Sequence, residues 1–259
     1  MQLETMYSAI DGPVATLVLN RPEVLNCANE QWARDLNTLV DDVIADKGVR
    51  VVVVRGSGRA FCSGIDLTAL SQGEISMEFF RNWEGGLRKL ETMDPIAVAA
   101  VHSHCIGGGL QITLACDLRI ARDDAQFGIT AVREGIIPGI GMWRIARYAG
   151  MGRAKQLALI ADKVDAATAL QWGLVDWVES AETFEKRVEE VTARILTMAW
   201  TSTRLTKKLT NAAFDLPFAA FVDTYLDYQA QSTASPEHKA AMAEHRAHRA
   251  GRAPGKGGR

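Results

Sequence analysis

The sequence predicts an α/β fold with parallel strands and a C-terminal helical extension, and three observations carry that prediction. Residues 49–55 hold the unbroken β-branched run Val51–Val54, and 96–101 are apolar throughout, as strands are when both faces of their sheet are covered. Each run leads into a glycine-rich turn, and helical patterns lie between them, which is the alternation of parallel α/β units. Beyond Pro138 only helical patterns remain.

The elements follow in order. Residues 3–10 and 14–20 flank Asp11-Gly12, a pair suited to a tight turn, so the chain opens with a hairpin. Trp32, Leu36, Leu39, Val40 and Val43 recur at helical spacing over 29–46, with Asn29 as cap and Gly48 as the expected stop. After the buried strand at 49–55 come the turn Gly56-Ser57-Gly58, the stretch Phe61-Cys62-Ser63-Gly64-Ile65-Asp66-Leu67, and a helix over 77–93 that Pro95 ends. The strand 96–101 continues through His102 and His104 into Gly107-Gly108-Gly109 and an apolar helix over 110–116, followed by a strand at 118–121. Helices are expected at 142–149, 153–160, 166–172 and 182–198, then helical stretches to about 247. No linker rich in Pro, Gly or Ser divides the chain, so residues 1–200 are expected to form the core and 201–259 a helical region that carries a basic tail.

Composition removes several function classes. With 47% hydrophobic and 23% charged residues the chain is neither disordered nor fibrous. Its 29 basic and 31 acidic residues leave a net charge of −2, which calls for neither nucleic acid nor an anionic membrane as partner. The tail from His245 carries Arg246, Arg249, Arg252, Lys256 and Arg259 without an acid or an interleaved aromatic, and is expected to be solvated. Cys27, Cys62, Cys105 and Cys116 form no C-x-x-C pair and no zinc spacing, as expected of reduced thiols in a cytoplasmic protein. The opening residues lack the charged and apolar regions of a signal peptide, and no apolar run approaches ~18 residues, so no membrane partner is expected.

The glycines narrow the chemistry. No Lys-Ser/Thr follows Gly107–109, and no G-x-G-x-x-G follows a strand, so neither a P-loop nor a dinucleotide fingerprint is present. Ser63 and Ser103 lack the G-x-S-x-G elbow, and His102 and His104 belong to no H-E-x-x-H. Two glycine-bearing turns about forty residues apart remain, each after a buried strand. Unpaired N–H groups at such turns suit a developing oxyanion, while tight packing is the other use of the same glycines.

The motifs then take a recognisable order. Residues 19–26 (LNRPEVLN), 58–67 (GRAFCSGIDL), 104–110 (HCIGGGL) with Ala115-Cys116-Asp117, Phe127-Gly128 followed by Pro138-Gly139, and 166–178 with Gly173-Leu174-Val175 resemble the enoyl-CoA hydratase/isomerase family, the crotonase superfamily. The resemblance covers nearly the whole chain. It implies a spiral of ββα units whose C-terminal helices mediate a homotrimer or a dimer of trimers, and an acyl-CoA substrate, with coenzyme A as part of that substrate and no separate cofactor or metal. It further implies that the N–H groups of Ile65 and Gly108 hold the thioester oxygen, and that Val24, Ser63, Ile65, Asp66 and Leu67 line the coenzyme A groove.

The family's hydratases use two glutamates to move protons across the double bond, and this chain departs from that pattern at both. Gln111 stands at the first position and Ala131 at the second; an amide can orient water but takes no proton, and a methyl group does neither. Glu134 follows Ala131 by three residues and can turn toward the same cavity, or else be an exposed or interface carboxylate beside Arg133. His104 passes near the expected acyl site as a candidate base or as a structural histidine. Glu84 and Asp66 can also face the pocket, or else lie on a solvated face and cap a helix locally, respectively, and Trp83 and Trp143 either wall the acyl cavity or pack in the core. Two readings follow: an enzyme that stabilises a thioester enolate, as hydratase, isomerase, lyase or hydrolase, or an acyl-CoA-binding protein without hydratase activity.

Overall fold

The computed structural model describes residues 1–251 and divides into two units, Met1–Leu196 and the chain from Thr197 onward. In the first, β1 (Met6–Asp11) and β2 (Val14–Leu19) form the expected hairpin, and β3 (Val51–Gly56), β4 (Ile96–Val101), β6 (Leu118–Arg122) and β9 (Trp177–Glu179) add to β2 in parallel. The resulting sheet has the order β1-β2-β3-β4-β6-β9. A second, three-stranded sheet joins β5 (His104–Ile106), β7 (Gln126–Gly128) and β8 (Lys163–Asp165). Every residue of β4 is buried, and Val51 to Val54 of β3 are likewise buried, which is why both strands read as unbroken apolar runs.

The helices begin where side chains can satisfy their first N–H groups. Asn29 accepts from the Trp32 N–H at 2.9 Å to start α1 (Glu30–Ala45), Asp66 caps α2 (Leu67–Ser71), and Ser76 caps α3 (Met77–Thr92). The helix α1 ends at Ala45 with Asp46 as its C-cap, as the pattern over 29–46 predicts, and the Asp46 carboxylate accepts from the Gly48 N–H at 2.8 Å. The triplet opens α4 (Gly108–Ala115), all of whose residues are buried. The two helices expected at 142–149 and 153–160 fall within α5 (Gly141–Ile160), where Gly150 breaks the helical backbone with φ 79° and ψ 160°. The first unit ends with α6 (Ala166–Gln171) and α7 (Phe184–Leu196).

The second unit consists of α8 (Trp200–Ala212), α9 (Phe218–Ala234) and α10 (Pro236–Gly251). Helix α10 runs through positions 245–251, where the sequence suggested the start of a tail; Arg252, Lys256 and Arg259 lie outside the described residues. No helix among the described residues is long and apolar enough to cross a membrane.

Two polar links, one fully buried and one partly buried, hold together the segments that carry the motifs. Asn26 is fully buried, with φ +57°; its carbonyl oxygen accepts from the Arg21 N–H, and its amide donates to the Ser57 and Ala60 carbonyls at 2.9 and 2.8 Å. Asp66 accepts from the Arg21 guanidinium at 3.1 Å as well as from the N–H groups of Thr68 and Ala69. Burial pushes the Asp66 carboxyl up, but the Ala69 N–H and Arg21 together outweigh that and hold it below the usual range.

Replacing Asn26 with Ala leaves two carbonyls short of a donor, so Asn26→Ala is expected to lower the unfolding free energy by on the order of 3 kcal/mol in urea titration. Because the folded Asp66 carboxyl titrates below its unfolded value, its stabilisation is complete above about pH 4 and is lost as the pH falls through the folded value. Asp66→Asn is therefore expected to lower stability at neutral pH and to flatten the acid limb of a stability–pH curve.

Candidate active site

The site is built by pinning one loop against one helix end. Residues 62–66 are held on two sides: the Cys62 N–H donates to the His104 carbonyl at 2.9 Å and the Ile106 N–H to the Cys62 carbonyl at 3.0 Å, while the Ala28 N–H donates to the Gly64 carbonyl and the Asp66 N–H to the Ala28 carbonyl. In extended backbone successive N–H groups alternate in direction. Since the Asp66 N–H is turned to Ala28, the Ile65 N–H points away from it, and it has no backbone acceptor among the described residues. The Gly108 N–H is the first donor of α4 and has no acceptor within the helix.

Glycine makes the approach of these two donors sterically allowed. A methyl group on Gly64, whose φ is +101°, would sit 3.1 Å from the Ile106 carbonyl oxygen and 3.5 Å from the Gly108 nitrogen. One on Gly108 would lie 2.6 Å from Cζ2 of Trp83, and one on Gly109 would overlap the Cys62 carbonyl. Gly107 holds φ +55° and ψ −112° and donates its N–H to the Gly128 carbonyl at 2.8 Å.

Ile65 and Gly108 face a common cleft of about 710 Å³, open to solvent. Ser63, Gly64 and Leu67 line it on the loop side, and Phe79, Phe80 and Trp83 of α3 supply an aromatic wall. Trp83 is braced from behind by Trp32, stacked with ring centroids 4.7 Å apart. Thr130, Ala131, Glu134 and the segment Ile136–Gly139 complete the lining. Gln111 lies one helical turn beyond Gly108; it is only 9% exposed, and its Oε1 has no hydrogen-bond partner. Gly141 makes room for it, since a methyl group there would stand 2.7 Å from Gln111 Cγ.

Of the three carboxylates suggested for the cavity, Glu84 and Glu134 line it, in different states of engagement, and Asp66 does not. Glu84 accepts from the Ile140 N–H and from Arg144 Nη1, each at 3.1 Å. Arg144 is 2% exposed and also reaches Glu91 at 3.6 Å. Glu134 is half-buried at the end of the 3₁₀ turn Ala131–Glu134 and makes no hydrogen bond or ion pair among the described residues. Its neighbour Arg133 reaches Asp162 at 3.5 Å.

The remaining suggested residues lie elsewhere. His104 does not line the cleft; it pairs with Gln126 in the small sheet, and its Nδ1 is buried without a partner. Trp143 is 38% exposed beneath the Arg147 guanidinium and is no part of the cleft wall. Val24, in the 3₁₀ turn Pro22–Val24, and Asp66, the α2 cap, are also outside the lining. The Ser63 N–H donates to the Leu25 carbonyl at 3.0 Å and so ties the first motif to the second. Burial, reinforced by the nearby Asp66 charge, pushes the Cys27 thiol up to about 12, so it supplies no thiolate at neutral pH. Phe79, Phe80 and Arg144 were not singled out in the sequence, because in an amphipathic pattern a cleft wall looks the same as core.

Comparison with known proteins agrees with this architecture. A family model described as enoyl-CoA hydratase/isomerase matches residues 9–249. The chain is 30% identical over 240 residues to a short-chain-enoyl-CoA hydratase of Clostridium acetobutylicum, covering 90% of this chain and 89% of that protein. It is 32% identical over 179 residues to the mitochondrial Delta(3,5)-Delta(2,4)-dienoyl-CoA isomerase of Dictyostelium discoideum, covering 64% and 61%. Among solved structures, a putative enoyl-CoA hydratase from Thermobifida fusca in complex with CoA superposes with a TM-score of 0.81 at 28% identity, covering 93% of this chain and 95% of that one. The crotonase-type α/β fold is thus common to sequence and structure, and the chain belongs to the enoyl-CoA hydratase/isomerase family.

Proposed function

We propose that the cleft binds an acyl-CoA thioester, that the N–H groups of Ile65 and Gly108 stabilise its enolate, and that Glu134 carries the proton in an isomerisation of the acyl double bond. One observation carries this reading: two backbone donors without backbone acceptors converge on the cleft that also contains Glu134. The partial positive charge at the start of α4 adds to the attraction for a developing oxyanion.

In this scheme Glu134 breaks the C–H bond at C2 of a 3-enoyl thioester, and the electron pair delocalises through the adjacent double bond and onto the thioester oxygen. Returning the same proton to C4 leaves the 2-enoyl product with no change in atoms or electrons. A single proton carrier suffices, and among the described residues Glu134 is the cleft carboxylate left unpaired, since Glu84 is engaged by Arg144 and Ile140. Hydration needs a second acid–base group; Gln111 can orient a water there but cannot accept its proton. Coenzyme A enters as part of the substrate.

Mass spectrometry of 3-enoyl and 2-enoyl thioesters incubated in D₂O separates the possible chemistries. The protein is expected to shift the double bond and exchange α-hydrogens. Glu134→Gln is expected to slow both by about 10² to 10⁴-fold, whereas Gln111→Ala and His104→Ala retain the shift. An undiminished Glu134→Gln rate sinks this assignment, and an inert wild type whose melting temperature still rises with acyl-CoA makes it a binding protein. Gly108→Ala, by forcing Trp83 and the helix end apart, is expected to lower kcat/KM by an amount near the ~3 kcal/mol typical of a lost oxyanion donor.

A further inference from the structure

The cleft carries an electrostatic asymmetry that bears on which acyl groups it accepts. Its lining includes two carboxylates, Glu84 and Glu134, and no Lys, Arg or His. The nearest compensation for Glu84 is Arg144, buried behind the wall and shared with Glu91, which in turn pairs with Arg88 at 2.8 Å. Arg144 is thus already engaged by both carboxylates. Glu134 has no such partner among the described residues; the guanidinium beside it in sequence is turned to Asp162. The cleft therefore presents one uncompensated negative charge next to the apolar surfaces of Phe79, Phe80 and Trp83.

From this we infer that Glu134 is a specificity-determining residue that restricts the site to uncharged acyl groups and excludes those ending in a carboxylate. A carboxylate entering the cleft would leave bulk water for an aromatic-walled space, meet the Glu134 charge, and find Arg144 occupied. An uncharged chain of the same length meets none of these penalties and gains the aromatic wall. The inference rests on the acyl-CoA reading of the cleft, but not on Glu134 acting as proton carrier.

The test compares pentanoyl-CoA with glutaryl-CoA, which have acyl chains of equal carbon number, by isothermal titration at neutral pH and low salt, with wild type and Glu134→Gln. Wild type is expected to bind pentanoyl-CoA at least about tenfold more tightly than glutaryl-CoA, and Glu134→Gln to narrow that gap severalfold, chiefly by improving glutaryl-CoA binding. Equal affinities in wild type overturn the inference. So does a gap that Glu134→Gln leaves unchanged, since it would then come from desolvation of the ligand carboxylate alone. Absence of binding by pentanoyl-CoA, glutaryl-CoA and free coenzyme A overturns the acyl-CoA reading itself, and the inference with it. Circular dichroism and the melting temperature of Glu134→Gln establish that the variant is folded before its affinities are compared.

Discussion

The close approach of two backbone segments, with no side chain between them, is the constraint on which the site depends. Gly64 and the Gly107–Gly109 turn lie so near one another that a single methyl group on either side meets a carbonyl, an amide nitrogen or an indole ring. That proximity lets the free N–H groups of Ile65 and Gly108 open on one cleft. The cost is conformational, since Gly64 and Gly107 hold positive φ, which most residues resist. The surrounding hydrogen bonds over-determine it: Cys62 is locked to β5 on one side, Gly64 and Asp66 to Ala28 on the other, and Gly107 to Gly128.

Around this fixed centre the polar side chains divide into committed and uncommitted groups. Arg144, though buried, lies within reach of Glu84 and Glu91, which meets the requirement that an interior charge be paired. The same pairing anchors the start of α5 to α3, because Glu84 also takes the Ile140 N–H. The segment carrying Pro138, Gly139 and Gly141 is thereby set against Gln111 and the cleft wall. Among the described residues Glu134 has no competing partner, the condition under which a carboxylate can respond to a ligand rather than to its own protein.

Much of the fold was legible because buried strands and capped helices leave local signatures. The runs of β3 and β4, the caps Asn29 and Asp66, and the glycine break at Gly150 each follow from neighbours in the chain. The strands β7, β8 and β9 were not legible: each is three residues long, too short to show a period, and exists only because distant partners supply its hydrogen bonds. The end of α1 at its C-cap Asp46 was legible for a local reason, the short polar Asp46-Lys47-Gly48 turn in which the Asp46 carboxylate takes the Gly48 N–H.

By itself the sequence determined the α/β class, the family resemblance and the two glycine turns, because all of these are written in residue type and order. Tertiary structure alone decided which side chains share the cleft. It brought Glu84 and Glu134 to its lining, tied the first to Arg144, left the second without a partner among the described residues, and set His104 and Trp143 outside. The physical reason is that convergence across sixty residues of chain depends on how strands and helices pack, and residue type at any one position carries no record of the partner that packing will supply.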